Sequence, residues 1–272
     1  IRDRYNYPPG EENLGKASYL DVFSSLEKLL REMKKRGYTV SKLPSGKWIK
    51  DELLRRGAVN SGEWVLTREA AEKMLKVDVN RYSSWLNELP RGVRERVLKD
   101  WGWPPGKVMA YGDYLLIPGI LLGNVFIGIQ PSRGVHEDPS KTYHSRDLSP
   151  HHQYIAFYEW IKRVFKADAI IHLGTHGTLE FLPGKDAGLS GECFPDVLIG
   201  DLPNIYVYHV VNPSEAAIAR RRSYAVTISH GTPSLMSGEL HGELVELERL
   251  LNQYYETAQY DKACLLYTSD AA

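Results

Sequence analysis

The order of segments predicts an α/β fold, with mixed or parallel sheets flanked by helices and a helical insertion between about 50 and 103. Three observations carry this. An amphipathic helix pattern opens the chain and runs into a short β-type segment. A strand-rich passage occupies residues 107–130. Finally, a short apolar run at Ala169, Ile170 and Ile171 ends at Gly174 and reads as a buried strand.

Taking the elements in order, Asp21 or Ser24 can cap a helix through Lys35, with Leu26, Leu29, Leu30 and Met33 on its apolar face. Gly37 stops it, and Tyr38-Thr39-Val40 reads as the next strand, making a βα-type opening. Residues 51–101 read as several short polar helices, including TREAAEKML and GVRERVLKDWG. The tryptophans Trp48, Trp64, Trp85, Trp101 and Trp103 read as packing residues. Trp103-Pro104-Pro105-Gly106 marks a boundary, which gives a first domain over 1–104 and a core region over 105–262. VMAY, YLLIPGILLG and NVFIGIQP then read as strands, punctuated by Gly119 and Gly123. A long polar loop follows, of the kind that is functional or unstructured when found inside a compact domain. It leads into a helix from Gln153 to Phe165, with His151 and His152 at its N-terminus.

The strand at 169–171 is the most informative place. Beyond it Thr175 can cap a short helix, on which His176 and Glu180 stand at i and i+4 and share a face. A strand feeding a helix at its carboxyl end is where open α/β sheets place ligands. Imidazole suits borderline transition metals, and a carboxylate can bind the ion or take a proton. His172, His176, Glu180 and the thiol of Cys193 could therefore hold a divalent ion. The alternative is that His172 is a satisfied core histidine and Glu180 a solvated helix residue. Gly174, Gly177, Pro183 and Gly184 crowd the cluster, as expected where backbone approaches a ligand.

Composition narrows the classes. The 272 residues carry 34 basic and 34 acidic side chains, a balance that argues against nonspecific nucleic-acid binding. Two cysteines, Cys193 and Cys264, make no disulfide framework, and no signal peptide opens the chain. No apolar run reaches the ~18 residues a bilayer span needs. These features lead to the expectation of a cytoplasmic protein.

HLGTHGTLEFLPGK, followed by LSGECFPD, IGDLPNIY and NPSEAAIARRRSYAV, resembles the family formed by the large subunits of cobaltochelatase (CobN) and magnesium chelatase. YNYPPGEENLG, SYLDVFSSL, GNVFIGIQPSRG, DLSPHHQYIAFYEWI and GELVELERLLNQYYE extend the resemblance over most of the chain, in the family's order. The run PGKDAGLSGECFPD, with Lys185, Leu189, Ser190 and Cys193, looks like the cobalt-type pattern. Phe181 stands where the family usually has tryptophan, and Ala219-Arg220-Arg221-Arg222 replaces Ala-Lys-Arg-Arg. Family members are several times longer, so the resemblance implies that this is an internal piece. Ile1–Arg4 stands where the family has an apolar strand, and Cys264-Leu265-Leu266-Tyr267-Thr268-Ser269 leaves the family pattern, so 263–272 reads as a non-native or unstructured tail.

The resemblance implies a ligase that inserts Co2+, or Mg2+ second, into a tetrapyrrole; for the cobalt branch this is hydrogenobyrinic acid a,c-diamide. It implies AAA+ partner subunits that use ATP, because this chain has no GxxxxGK[ST] loop to bind it. In that frame His172 and His176 hold the ion and Glu180 and His176 are catalytic, with Glu180 the base. Lys185, His151, His152 and the Arg220-Arg221-Arg222 run are candidates to hold the substrate's carboxylates, against a solvated or docking face for the arginines and a plain surface pair for the histidines. A metal-dependent hydrolase and a tetrapyrrole-binding regulator without chelation stay open as alternatives.

Overall fold

The computed structural model describes residues 20–56, 68–133, 147–208 and 213–229, together with 246, 247, 249–251, 253 and 254. The chain divides into one compact unit through His230 and a second from Gly231. The described part of the second unit is helical, with Arg249 paired to Glu246 at 2.6 Å. The expected tail, Ile1–Arg4 and Trp64 lie outside the described residues. No helix among the described residues is long and apolar enough to cross a membrane.

The opening helix α1 (Val22–Lys35) is capped by Asp21, whose carboxylate accepts the Ser24 N–H. Gly37 turns the chain with φ of 91°. The strand expected at Tyr38-Thr39-Val40 does not form. Thr39 and Ser41 make only isolated backbone hydrogen bonds with Asn124 and Leu122, where Gly123, with φ of 73°, leaves the extended conformation. Helix α2 (Gly46–Arg55) starts at Ser45 and packs Ile49 and Leu53 onto Leu30, Ile120 and Leu122.

The region expected to be helical contains α3 (Arg68–Lys73), α4 (Val79–Glu88) and α5 (Arg91–Trp101). It also contains a strand that the sequence pattern does not reveal, β1 (Leu75–Asp78). β1 pairs antiparallel with β3 (Tyr114–Ile117), whose other neighbour is β2 (Ala110–Tyr111). A second, two-stranded antiparallel sheet joins β4 (Gly119–Leu121) to β5 (Phe126–Gly128). The β1–β3 pairing and a shared core of Tyr82, Trp85, Val93, Val97, Leu115 and Tyr154 run across Pro104. The expected boundary at 104–105 falls inside the compact unit that ends at His230. Of the described tryptophans, Trp85 and Trp160 are buried and Trp48 and Trp101 are partly buried. Trp103 is 81% exposed, against the packing role expected of it.

Helix α6 (His152–Trp160) lies in the core of the first unit, with all nine residues buried. It continues as a π-turn through Phe165 and stops at Lys166 in the left-handed conformation. A three-stranded parallel sheet follows, with β6 (Ile170–Gly174), β7 (Asn204–Tyr208) and β8 (Val226–Ile228) in that order. Between β6 and β7 runs α7 (Phe194–Ile199), and between β7 and β8 runs α8 (Pro213–Arg222). The register sets His172 beside Tyr206 and Thr227 on one face, and Ile171 beside Ile205 and Val226 on the other.

Candidate functional site

The site forms where β6 and β7 end. The helix expected to begin at Thr175 is not there: residues 175–178 turn, and only a single 3-10 turn, Leu179–Phe181, follows. With glycine at 174 and 177 and proline at 183, the segment lacks the length to nucleate an α-helix. His176 and Glu180 consequently do not share a helix face, and each finds a different partner.

Glu180 is 1% exposed. Its Oε1 accepts the Gly177 N–H at 2.9 Å and the Tyr206 hydroxyl at 2.7 Å. Its Oε2 is buried and has no hydrogen-bond partner among the described residues. Gly177 N–H also points at the Tyr206 hydroxyl oxygen, closing a three-member network. Burial, reinforced by the Glu180 charge, holds the Tyr206 phenol well above its ordinary pKa. It therefore stays protonated and donates. A Cβ on Gly177 would lie 2.6 Å from Gln130 Oε1, 2.9 Å from His172 Cε1 and 3.0 Å from the Tyr206 hydroxyl, which explains glycine there.

His172 stacks flat on Tyr206, with ring centroids 4.1 Å apart. Its Nε2 lies 2.9 Å from the Thr175 carbonyl oxygen, which can only accept, so Nε2 carries the proton. Burial lowers its pKa, against the opposing pull of Glu180. His176 turns its Nδ1 to Glu215 Oε2 at 2.7 Å and sets its ring edge against Phe181. Glu215, at the start of α8, also accepts the Tyr208 hydroxyl at 2.9 Å. Sequence reasoning missed Glu215, Tyr206 and Tyr208; NPSEAA carried a signal in its glutamate, but only the fold brings it opposite His176. The structure thus joins Glu180 to Tyr206 and His176 to Glu215, while His172 bridges toward both through stacking and charge. Among the described residues no three His, Cys, Asp or Glu side chains converge as a ready-made metal cage.

The remaining candidates separate by burial. His151 caps α6, accepting the Tyr154 N–H on Nδ1 while Nε2 donates to the Ser132 carbonyl. Burial pushes its pKa down to about 4. His152 accepts from the Tyr82 hydroxyl and donates to the Gly102 carbonyl. Both residues are 2% exposed, and both ring nitrogens of each are engaged within the fold. Arg222 is likewise buried, and its guanidinium binds backbone carbonyls. Arg220 and Arg221 are exposed, as is Lys185. Cys193 is buried, with Sγ accepting the Lys185 and Ser190 N–H groups at 3.4 Å. Burial raises its pKa, but those donors bring it below the ordinary thiol value overall.

The description "CobN/Magnesium Chelatase" belongs to the family whose model matches residues 4–269. An uncharacterised protein of Methanocaldococcus jannaschii is 48% identical over 95% of this chain and 21% of its own length. The chloroplastic magnesium-chelatase subunit ChlH of Oryza sativa subsp. indica is 40% identical over 92% of this chain and 17% of its own. The aerobic cobaltochelatase subunit CobN of Pseudomonas aeruginosa is also 40% identical, over 94% and 20%. The solved catalytic subunit of cobaltochelatase from Mycobacterium tuberculosis superposes with a TM-score of 0.70 at 34% identity, over 94% of this chain and 22% of that one. The chain thus spans about a fifth of the length of these relatives, and identity does not separate cobalt from magnesium types.

Proposed function

The chain belongs to the CobN/magnesium chelatase family, and from that premise we propose that it contributes the proton-accepting site of a large subunit that inserts a divalent metal into a tetrapyrrole. The observation that carries the reading is Glu180: a buried carboxylate with one oxygen held by Gly177 and Tyr206 and the other unpartnered among the described residues. Insertion removes two pyrrole N–H protons, and a carboxylate oxygen with an open lone pair is a suitable acceptor.

In this reading the metal is substrate, delivered past imidazoles that exchange with its waters. Glu215 orients His176, since an imidazole that donates one N–H to a carboxylate presents its other nitrogen as a better ligand. His172 offers Nδ1, because Nε2–H is committed to Thr175. Lys185, Arg220 and Arg221 are exposed and suit the carboxylates of a tetrapyrrole. Cobalt is favoured by the PGKDAGLSGECFPD run, with Mg2+ second. Partner AAA+ subunits supply ATP hydrolysis, in the cytoplasm.

The test is insertion by the full-length subunit with its partner subunits, ATP, a corrin precursor or a porphyrin, and Co2+ or Mg2+. Glu180→Gln keeps shape and hydrogen bonding but removes the base, and should cost ~10²–10⁴-fold in rate while tetrapyrrole binding persists. Unchanged turnover would remove Glu180 from the chemistry.

A further inference from the structure

Loop 180–185 follows the site with little regular structure of its own. Its backbone carbonyls at 180, 182, 184 and 185 all turn toward one side chain, Arg222, the last residue of α8. The guanidinium donates from Nε to the Glu180 carbonyl at 2.6 Å, from Nη2 to that of Leu182, and from Nη1 to Gly184 at 3.3 Å and to Lys185. Asp186 stands further off, 3.8 Å from Nη1, and is 88% exposed. Only arginine has donors enough, in a fixed planar fork, to satisfy several divergent carbonyls at once. A buried carbonyl without a donor is costly, so these contacts decide where the loop lies.

The same helix reaches the site a second time. Glu215, seven residues earlier and two turns back along α8, binds His176. The end that carries Arg222 is itself fixed: the Asn204 amide donates to the Ser223 carbonyl and the Ser223 hydroxyl to Ala219. Its buried Ala216 and Ala219 pack with Tyr206 and Tyr208. Helix α8 is therefore registered to β7 and holds the stretch 176–185 at two places, His176 through Glu215 and loop 180–185 through Arg222.

We propose that Arg222 is a positioning residue: it fixes loop 180–185 so that the Glu180 carboxyl stays against Gly177 N–H and the Tyr206 hydroxyl. The proposal rests on Glu180 acting as proton acceptor, but its structural half can be read without any turnover. In the full-length subunit, Arg222→Gln should speed amide hydrogen exchange in 176–185 while leaving β7 and α6 protected. In the reconstituted chelatase it should lower the single-turnover insertion rate roughly 10–100-fold, the scale of a misplaced reacting group, with a smaller loss of tetrapyrrole affinity, because Arg220 and Arg221 lie outside the loop and remain exposed. Arg222→Lys, a single-point donor, should recover only part of the rate, and added guanidinium ion should partly rescue Arg222→Gly.

Wild-type exchange in the loop would overturn the proposal. So would exchange that rises equally in β7 and α6, which would make Arg222 a general fold residue, or a rate loss matched by the loss of tetrapyrrole affinity. If the wild-type subunit inserts no metal at all, the functional reading fails, while the exchange result still decides whether Arg222 holds the loop.

Discussion

Glu215 Oε2 stands 2.7 Å from His176 Nδ1, and this pairing, rather than the i, i+4 pairing of His176 with Glu180, organises the histidine. A carboxylate that orients a metal-binding imidazole typically changes metal affinity by about 10–100-fold. Glu215→Gln should therefore weaken Co2+ binding in a calorimetric titration by that order, and His176→Ala should do so at least as strongly. Equal affinity in wild type and both variants would leave the pair structural.

His151 gives the fold a pH dependence of definite sign. Its folded pKa of about 4 lies below its ordinary 6.5, so between those values the unfolded chain binds the extra proton. Stability is then fully present above pH ~6.5 and is lost as pH falls toward 4, by about 3 kcal/mol from this group. His151→Asn keeps an acceptor for the Tyr154 N–H at the helix start and should flatten that part of the slope. Urea melts across the window would show it, and parallel slopes in the two proteins would contradict the assignment.

How far the sequence disclosed all this depends on the range of each interaction. Of the two caps that the sequence offers for α1, Asp21 and Ser24, the structure uses Asp21, and such a cap is settled within three residues. The expected cap at Thr175 does not form, since Glu180 instead finds the Tyr206 hydroxyl, 26 residues away. β1 was invisible for a similar reason: LKVD is too short to show alternation, and β3 is what makes it a strand. His172, His176 and Glu180 were legible as one neighbourhood from their spacing at the end of a predicted strand. Glu215 and the altered meaning of Arg222 come only with the β7–α8 connection. A triple arginine on a helix gives no hint that its last member turns inward.

Tyr206 should matter to rate more than to binding. Its hydroxyl donates to Glu180 Oε1, and a hydrogen bond to a charged group is worth roughly 1.5–3 kcal/mol. Tyr206→Phe keeps the ring beneath His172, so stacking survives. Single-turnover insertion by the full-length subunit should slow roughly 10–100-fold with tetrapyrrole affinity retained. A wild-type rate would show that the hydroxyl is incidental.

Gly177→Ala should be disproportionately harmful for one methyl group. The new Cβ would force Gln130 Oε1 away, although that amide accepts from Thr178 N–H and donates to the Tyr158 hydroxyl. It would also press on His172 and Tyr206. Overpacking of this kind costs about 1–3 kcal/mol, measurable as a lower denaturation midpoint. A midpoint equal to wild type would mean that the turn relaxes more freely than its contacts suggest.

The last prediction concerns the other face of the parallel sheet. Helix α8 packs on the side of Tyr206 and Tyr208, whereas Ile171, Val226 and Ile228 point away and are 39%, 63% and 51% exposed. The register places Ile205 and Val207 between them, so the apolar surface is continuous across three strands. Parallel sheets are normally covered on both faces, and an exposed apolar patch of this kind favours association. Alone, the 272-residue chain should self-associate across a concentration series in analytical ultracentrifugation. The double substitution Val226→Lys and Ile228→Lys adds charge where the side chains already meet water, so it should shift the chain toward monomer without lowering its melting temperature. A wild-type chain that stays monomeric throughout, or a double variant that associates equally, would show that this face does not drive contact.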